Sequence, residues 1–147
     1  MESKTSIARI MLNCNRTFEE MIKAGQYERV DRNISAQNFP VRVRFKKTIE
    51  IKLMHFNTAR EVSTKNVLLA INEAGCRPAR IEELLAFGER CKKAAPYSVV
   101  ALGSVWQDDQ GNEHVPYIFW NGKTKSLFLT KIPLNWADDF RFAALSK

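Results

Sequence analysis

Between Ser63 and Arg90 the apolar side chains recur every three to four positions, and on both sides of that stretch they alternate. A helical period cannot be laid out as a strand without turning apolar groups to water, so the switch separates two helices from flanking strands. Val67, Leu68 and Ile71 share the buried face of the first helix, which Gly75 ends. Arg77-Pro78 leads into the second, which starts near Ala79 or Arg80. Glu82 and Glu83 complement its positive end, Lys92 and Lys93 its negative end, and Ile81, Leu84 and Leu85, with Phe87 at the margin, form its apolar stripe.

Ahead of the helices lie two stretches of period two: VRVRF, with Val41, Val43 and Phe45 opposed to Arg42 and Arg44, and TIEIKLMHF, with Ile49, Ile51 and Leu53 opposed to Glu50 and Lys52. Both are expected as strands with one wet face. Thr17-Phe-Glu-Glu20 has the capping-box spacing, which predicts a short helix over about 17–24, stopped by Gly25. Beyond Pro96 the chain breaks into short strands: SVVALGSVW, then VPYIFW and SLFLT joined by a tight NGK turn, and finally FRFAAL. Two helices packed on short, mostly antiparallel strands, with an extra N-terminal helix and strand, make an α+β fold. The 147 residues suit one domain.

Composition removes several functions. Cys14, Cys76 and Cys91 are too few and unevenly spaced for a disulfide framework, and His55 and His114 join no cluster of metal-ligand spacing. No metal site and no cofactor are expected. No window holds the roughly 18 uninterrupted apolar residues of a membrane span, and the first residues lack the basic lead and apolar core of a secretory signal. A cytoplasmic location is expected, or display by a route the chain does not encode.

The net charge of +7 is concentrated at one end: residues 1–60 carry 12 Lys+Arg against 6 Asp+Glu, residues 61–147 carry 11 against 10. Arg42, Arg44, Lys46, Lys47 and Lys52 are therefore a candidate nucleic-acid surface, although no recognised nucleic-acid motif accompanies them. A solvated basic strand surface explains the same residues. Asp108, Asp109 and Glu113 crowd one loop beside His114, and Asp138 adjoins Asp139; a polar hairpin loop accounts for the first group, and strand neighbours point to opposite faces in the second. No Gly-rich phosphate cradle and no Ser-His-Asp order is present, so no catalytic residue is assigned.

The order of elements, with EAGCRPARIEELLAFGER at Glu73–Arg90 and the closing FRFAAL at Phe140–Leu145, resembles the C-type lectin fold in its formylglycine-generating-enzyme-like branch. In that branch a Leu-Pro-Thr-type turn opens the second helix and a Gly-Phe-Arg-Val-type strand ends the fold; Ala79-Arg80 departs from the usual threonine. The resemblance spans residues 48–147 and implies that the first and last strands of the fold are paired, with residues 1–47 as an extension packed on it. The branch's catalytic cysteines have no counterpart after Cys91. The calcium-binding tripeptides of sugar-binding lectins are replaced by Val115-Pro116-Tyr117 and Trp136-Ala137-Asp138, which lack most of the needed oxygens.

INEAGCRPARIEELLAFGER with the segments after it is more closely similar to small proteins of candidate bacterial phyla and nanoarchaea. Some of this group are variable proteins of diversity-generating retroelements, in which an adenine-mutating reverse transcriptase rewrites the C-terminal coding segment. That similarity implies a non-enzymatic protein that meets a protein or other macromolecular partner through residues 98–147. Phe119, Trp120, Asn121, Ser126, Phe128, Thr130, Ile132, Asn135 and Asp138 are the expected contact positions, with Phe119 and Trp120 as anchors. Leu127, Leu129 and Trp136 are expected as scaffold, and Tyr117 and Trp106 as core.

Overall fold

The computed structural model describes residues 3–56, 61–91 and 97–147. It holds, in chain order, β1 (Ser3–Asn13), α1 (Phe18–Ala24), β2 (Lys46–Phe56), β3 (Val62–Ser63), α2 (Thr64–Glu73), β4 (Cys76–Pro78), α3 (Ile81–Arg90), β5 (Ser98–Val100), β6 (Trp106–Gln107), β7 (Glu113–Trp120), β8 (Lys125–Lys131), β9 (Asn135–Trp136) and β10 (Phe140–Ser146). The architecture is α+β. An eight-stranded, mostly antiparallel sheet runs β1-β2-β10-β5-β7-β6, with β4 added to β10 and β8 to β7; β3 and β9 form a separate ribbon.

The strand carrying FRFAAL pairs antiparallel with β2, Phe142 to Met54 and Ala143 to Leu53, and parallel with β5 on its other side. The expected pairing of the first and last strands of residues 48–147 is thus present. The sheet separates two apolar clusters. One face carries Ile49, Ile51, Leu53, Ile118 and Leu127 against Leu84, Leu85 and Phe87 of α3, while the other carries Met54, Phe56, Val100, Val115 and Phe142 against Val67 and Ile71 of α2.

Each helix starts where a side chain satisfies the free amides. The Thr17 hydroxyl accepts from the Glu20 amide and the Glu20 carboxylate from the Thr17 amide, closing the anticipated box. Ser63 accepts from the Asn66 amide at the start of α2, and Ser104 accepts from the Ile81 amide at the start of α3. The α3 helix is buried on every side from Ile81 to Gly88, because α1 and the N-terminal chain cover the side turned away from β1 and β7. Glu83 is buried there and accepts both terminal nitrogens of Arg77, at 2.9 and 2.6 Å. Gly88 leaves room for the Tyr27 ring: a β-carbon would lie 2.1 Å from the Tyr27 hydroxyl and 2.9 Å from Ile118. Lys92 and Lys93, expected beyond this helix, lie outside the described residues.

Two strand assignments are corrected. VRVRF forms no strand; among the described residues its backbone bond to the N-terminal chain runs from the Cys14 amide, just past β1, to the Phe45 carbonyl, at 2.8 Å. Val41, Val43 and Phe45 still pack on the α3-side cluster while Arg42 and Arg44 face water. The reason is where the partner strand ends: VRVRF runs straight into β2, but β1 pairs with β2 only from Ser3–Phe56 to Asn13–Lys46, and past Asn13 the chain turns off toward α1, so the residues before Lys46 have no strand beside them. The second correction is that β2 does not keep a wet face throughout, since Met54 and Phe56 are buried under the α2 cluster.

Candidate functional site

In an antiparallel pair, residues directly opposite each other share a face, and successive residues alternate. The β7–β8 register joins Phe119 to Ser126, Tyr117 to Phe128 and Val115 to Thr130, so these six side chains lie on the α2 side of the sheet. Trp120–Lys125 and Ile118–Leu127 lie on the α3 side. Cover on the α2 side is uneven: along β7 it falls from fully buried Val115 through half-buried Tyr117 to Phe119, which is 38 % exposed, whereas along β8 Ser126 is buried and Phe128 and Thr130 are half-buried.

These rings are the open end of a chain of aromatic contacts. Phe128 meets Tyr117 at 5.9 Å between ring centres, Tyr117 meets Phe140 at 5.9 Å, Phe140 meets Trp136 at 4.9 Å, and Trp136 meets Phe142 at 5.5 Å. Most of these pairs cross edge to face, the geometry that favours ring quadrupoles, so the inner rings hold the outer ones in fixed orientations. Trp136 is anchored in turn by donating from Nε1 to the Thr64 hydroxyl, at 2.7 Å. Burial raises the pKa of Tyr117, and the carboxylates of Asp139 and Asp31 add to the effect, so its phenol stays neutral and able to donate.

The expected contact residues therefore divide. Phe119, Ser126, Phe128 and Thr130 share one face, although Ser126 is buried. Trp120 is not displayed as an anchor: it sits one residue out of phase with Phe119, is 2 % exposed, and packs edge-on against Phe87 with ring centres 5.9 Å apart. Asn121 builds the turn, its Oδ1 accepting from the Lys123 and Thr124 amides at 2.8 Å each. Ile132 packs against the α2-side cluster, Asn135 is exposed on the β3–β9 ribbon opposite Ser63, and Asp138 is exposed with its carboxylate 3.1 Å from His55 Nε2. Tyr117 and Trp106, expected as core, are only half-buried. Leu127 and Trp136 are buried. Leu134, 81 % exposed, had no marker beyond its place after Pro133 in a loop.

The acidic loop holds itself together. The Asp108 carboxylate lies 2.9 Å from His114 Nε2 and accepts the Gln110 and Asn112 amides, each at 2.9 Å. The His114 bond is the main cause of its pKa falling to about 2, and the two amides add to it. Asp109 and Glu113 are exposed, and among the described residues no three His, Cys, Asp or Glu side chains are grouped to hold a metal ion.

The basic candidates do not share a face either. Lys46 and Lys52 alternate out of phase with Lys47 along β2. Lys52 donates to the Ser146 hydroxyl at 3.1 Å, Lys47 lies over the Phe45 ring, and Arg44 donates to the Val41 and Val43 carbonyls. No helix among the described residues is long and apolar enough to cross a membrane.

Comparison with protein-family models, with curated proteins and with solved structures finds no match for this chain.

Proposed function

We propose that the chain is a non-enzymatic binding module that presents the α2 side of the β7–β8 hairpin to a protein partner, on a scaffold of the C-type lectin kind. The observation that carries this is the convergence of Phe119, Tyr117 and Phe128 with Thr130 on one partly covered sheet face, with Tyr117 and Phe128 braced through half-buried Phe140 by the buried Trp136. Rigid aromatic groups beside short hydroxyl side chains supply contact area at little cost in conformational entropy. The exposure of Phe119 beside the buried Leu127 supports a split between displayed and scaffold positions of the kind a retroelement variable protein requires, while Ser126 is buried and Ile132 packs on the core.

The test is the DNA flanking the gene. A near-copy of its last third, differing mainly at adenines and lying beside a reverse-transcriptase gene, is expected to differ at the codons of Phe119, Phe128 and Thr130 and to match at Trp120, Leu127 and Trp136. Differences spread evenly over buried and exposed positions, or no such copy, would remove the retroelement reading.

The alternative, a nucleic-acid module built on Arg42, Arg44, Lys46, Lys47 and Lys52, is separated by salt. Phosphate contacts weaken steeply between low and moderate ionic strength, whereas an aromatic surface responds little.

A further inference from the structure

On the α3 side of the sheet, a cavity of about 450 Å³ opens between the start of α3, the N-terminal segment 38–43 and the loop 103–105. Its walls combine three chemistries. Glu82 lines it and is only 6 % exposed, yet its carboxylate accepts no hydrogen bond from another residue among the described residues. Arg80 and Arg42 line the same cavity with exposed guanidinium groups that make no side-chain hydrogen bond among the described residues, the Arg80 charge acting on Glu82. Phe39, Pro40 and Val105 supply an apolar wall.

A buried carboxylate held only by its own backbone amide is poorly satisfied, which distinguishes Glu82 from its neighbour Glu83, engaged by both terminal nitrogens of Arg77. An ammonium group is the partner that satisfies it best. A simple cation would face repulsion from Arg80 and Arg42, and a simple anion would face repulsion from Glu82. Both penalties vanish for a ligand carrying an ammonium and a carboxylate a few bonds apart, with an apolar remainder for the Phe39 wall. We infer that this cavity binds a small apolar α-amino acid as its zwitterion, with the ammonium on Glu82 and the carboxylate on Arg80 and Arg42. The site uses none of the residues of the β7–β8 face, so each stands or falls without the other.

The experiment titrates the full chain with L-leucine, L-phenylalanine and L-alanine at millimolar concentration, following backbone amide signals by NMR. Isoamylamine and 4-methylpentanoate, which each keep one charge of leucine, serve as matched controls. Leucine or phenylalanine is expected to shift the signals of Arg80, Ser104 and Val105 saturably, and each control to bind about tenfold weaker or less. Glu82→Gln, whose fold is verified by its amide spectrum, is expected to weaken binding by about tenfold, and Arg80→Gln by about threefold or more. Should Glu82→Gln not fold, Arg80→Gln and the matched controls decide. The inference is overturned if no amino acid shifts these signals, if isoamylamine or 4-methylpentanoate binds as tightly as leucine, or if folded Glu82→Gln binds leucine undiminished.

Discussion

Phe119 and Trp120 are adjacent, aromatic and opposite in role. Trp120 fills a space bounded by Phe87 and Tyr97, so Trp120→Ala is expected to destabilise the protein by about 3–5 kcal/mol. Phe119→Ala, at a position already open to water, should cost less than about 1 kcal/mol. Urea unfolding of both variants checks the pair; similar losses would contradict the facing drawn from the strand register. Composition could not tell these residues apart, because phase along a strand is set by the partner strand and its turn, and SLFLT alone fixes neither. Asp108 gives a second prediction. Its carboxylate pKa is lower folded than in an exposed aspartate, so its contribution to stability is present above about pH 4 and lost as the pH falls toward about 2. Asp108→Asn should flatten stability against pH across that window, read from urea midpoints; an unchanged profile would mean the His114 bond does not form in solution.

Among the elements, those whose ends and periods are local were legible in advance. The Thr17 capping box, the Gly75 stop and the apolar stripe of α3 depend on residues within one or two turns of each other, and all three are present. VRVRF is not a strand although it alternates, because alternation records which side chains are buried, whereas a strand also needs a partner alongside, and β1 ends at Asn13, opposite Lys46. The β1 strand carries no clear alternation in the sequence: Ile10 and Leu12 are buried, but Ile7 and Met11 are apolar and exposed. The hairpin strands of the candidate site were legible as strands, and their facing was not. The all-round burial of α3 also escaped a stripe-based reading, and it makes Gly88 a sensitive position. Gly88→Ala drives a methyl group into the Tyr27 hydroxyl and is expected to cost about 1–3 kcal/mol by overpacking. Pairing it with Tyr27→Phe, which removes only the hydroxyl oxygen the methyl meets, should recover part of the loss; a loss unchanged in the double variant would place the strain elsewhere.

At the scale of the whole molecule, the sheet is two halves that meet on one strand. Among the described residues the β1–β2 ribbon and the β5, β7, β8 group share no ladder; β10 lies between them, antiparallel to β2 and parallel to β5. Phe142 and Ala144 also belong to the α2-side cluster and Ala143 and Leu145 to the α3-side cluster, so the strand ties the layers as well as the halves. Amide hydrogen exchange should place the slowest protons of the protein at Phe142–Ala144, opening only with global unfolding. Faster exchange there than in β7 would show the halves separating independently. Because β10 pairs with both halves and α3 packs on β1 and β7 alike, neither half is left with its own core when β10 lets go, and denaturation should follow a single all-or-none transition with every probe reporting the same midpoint.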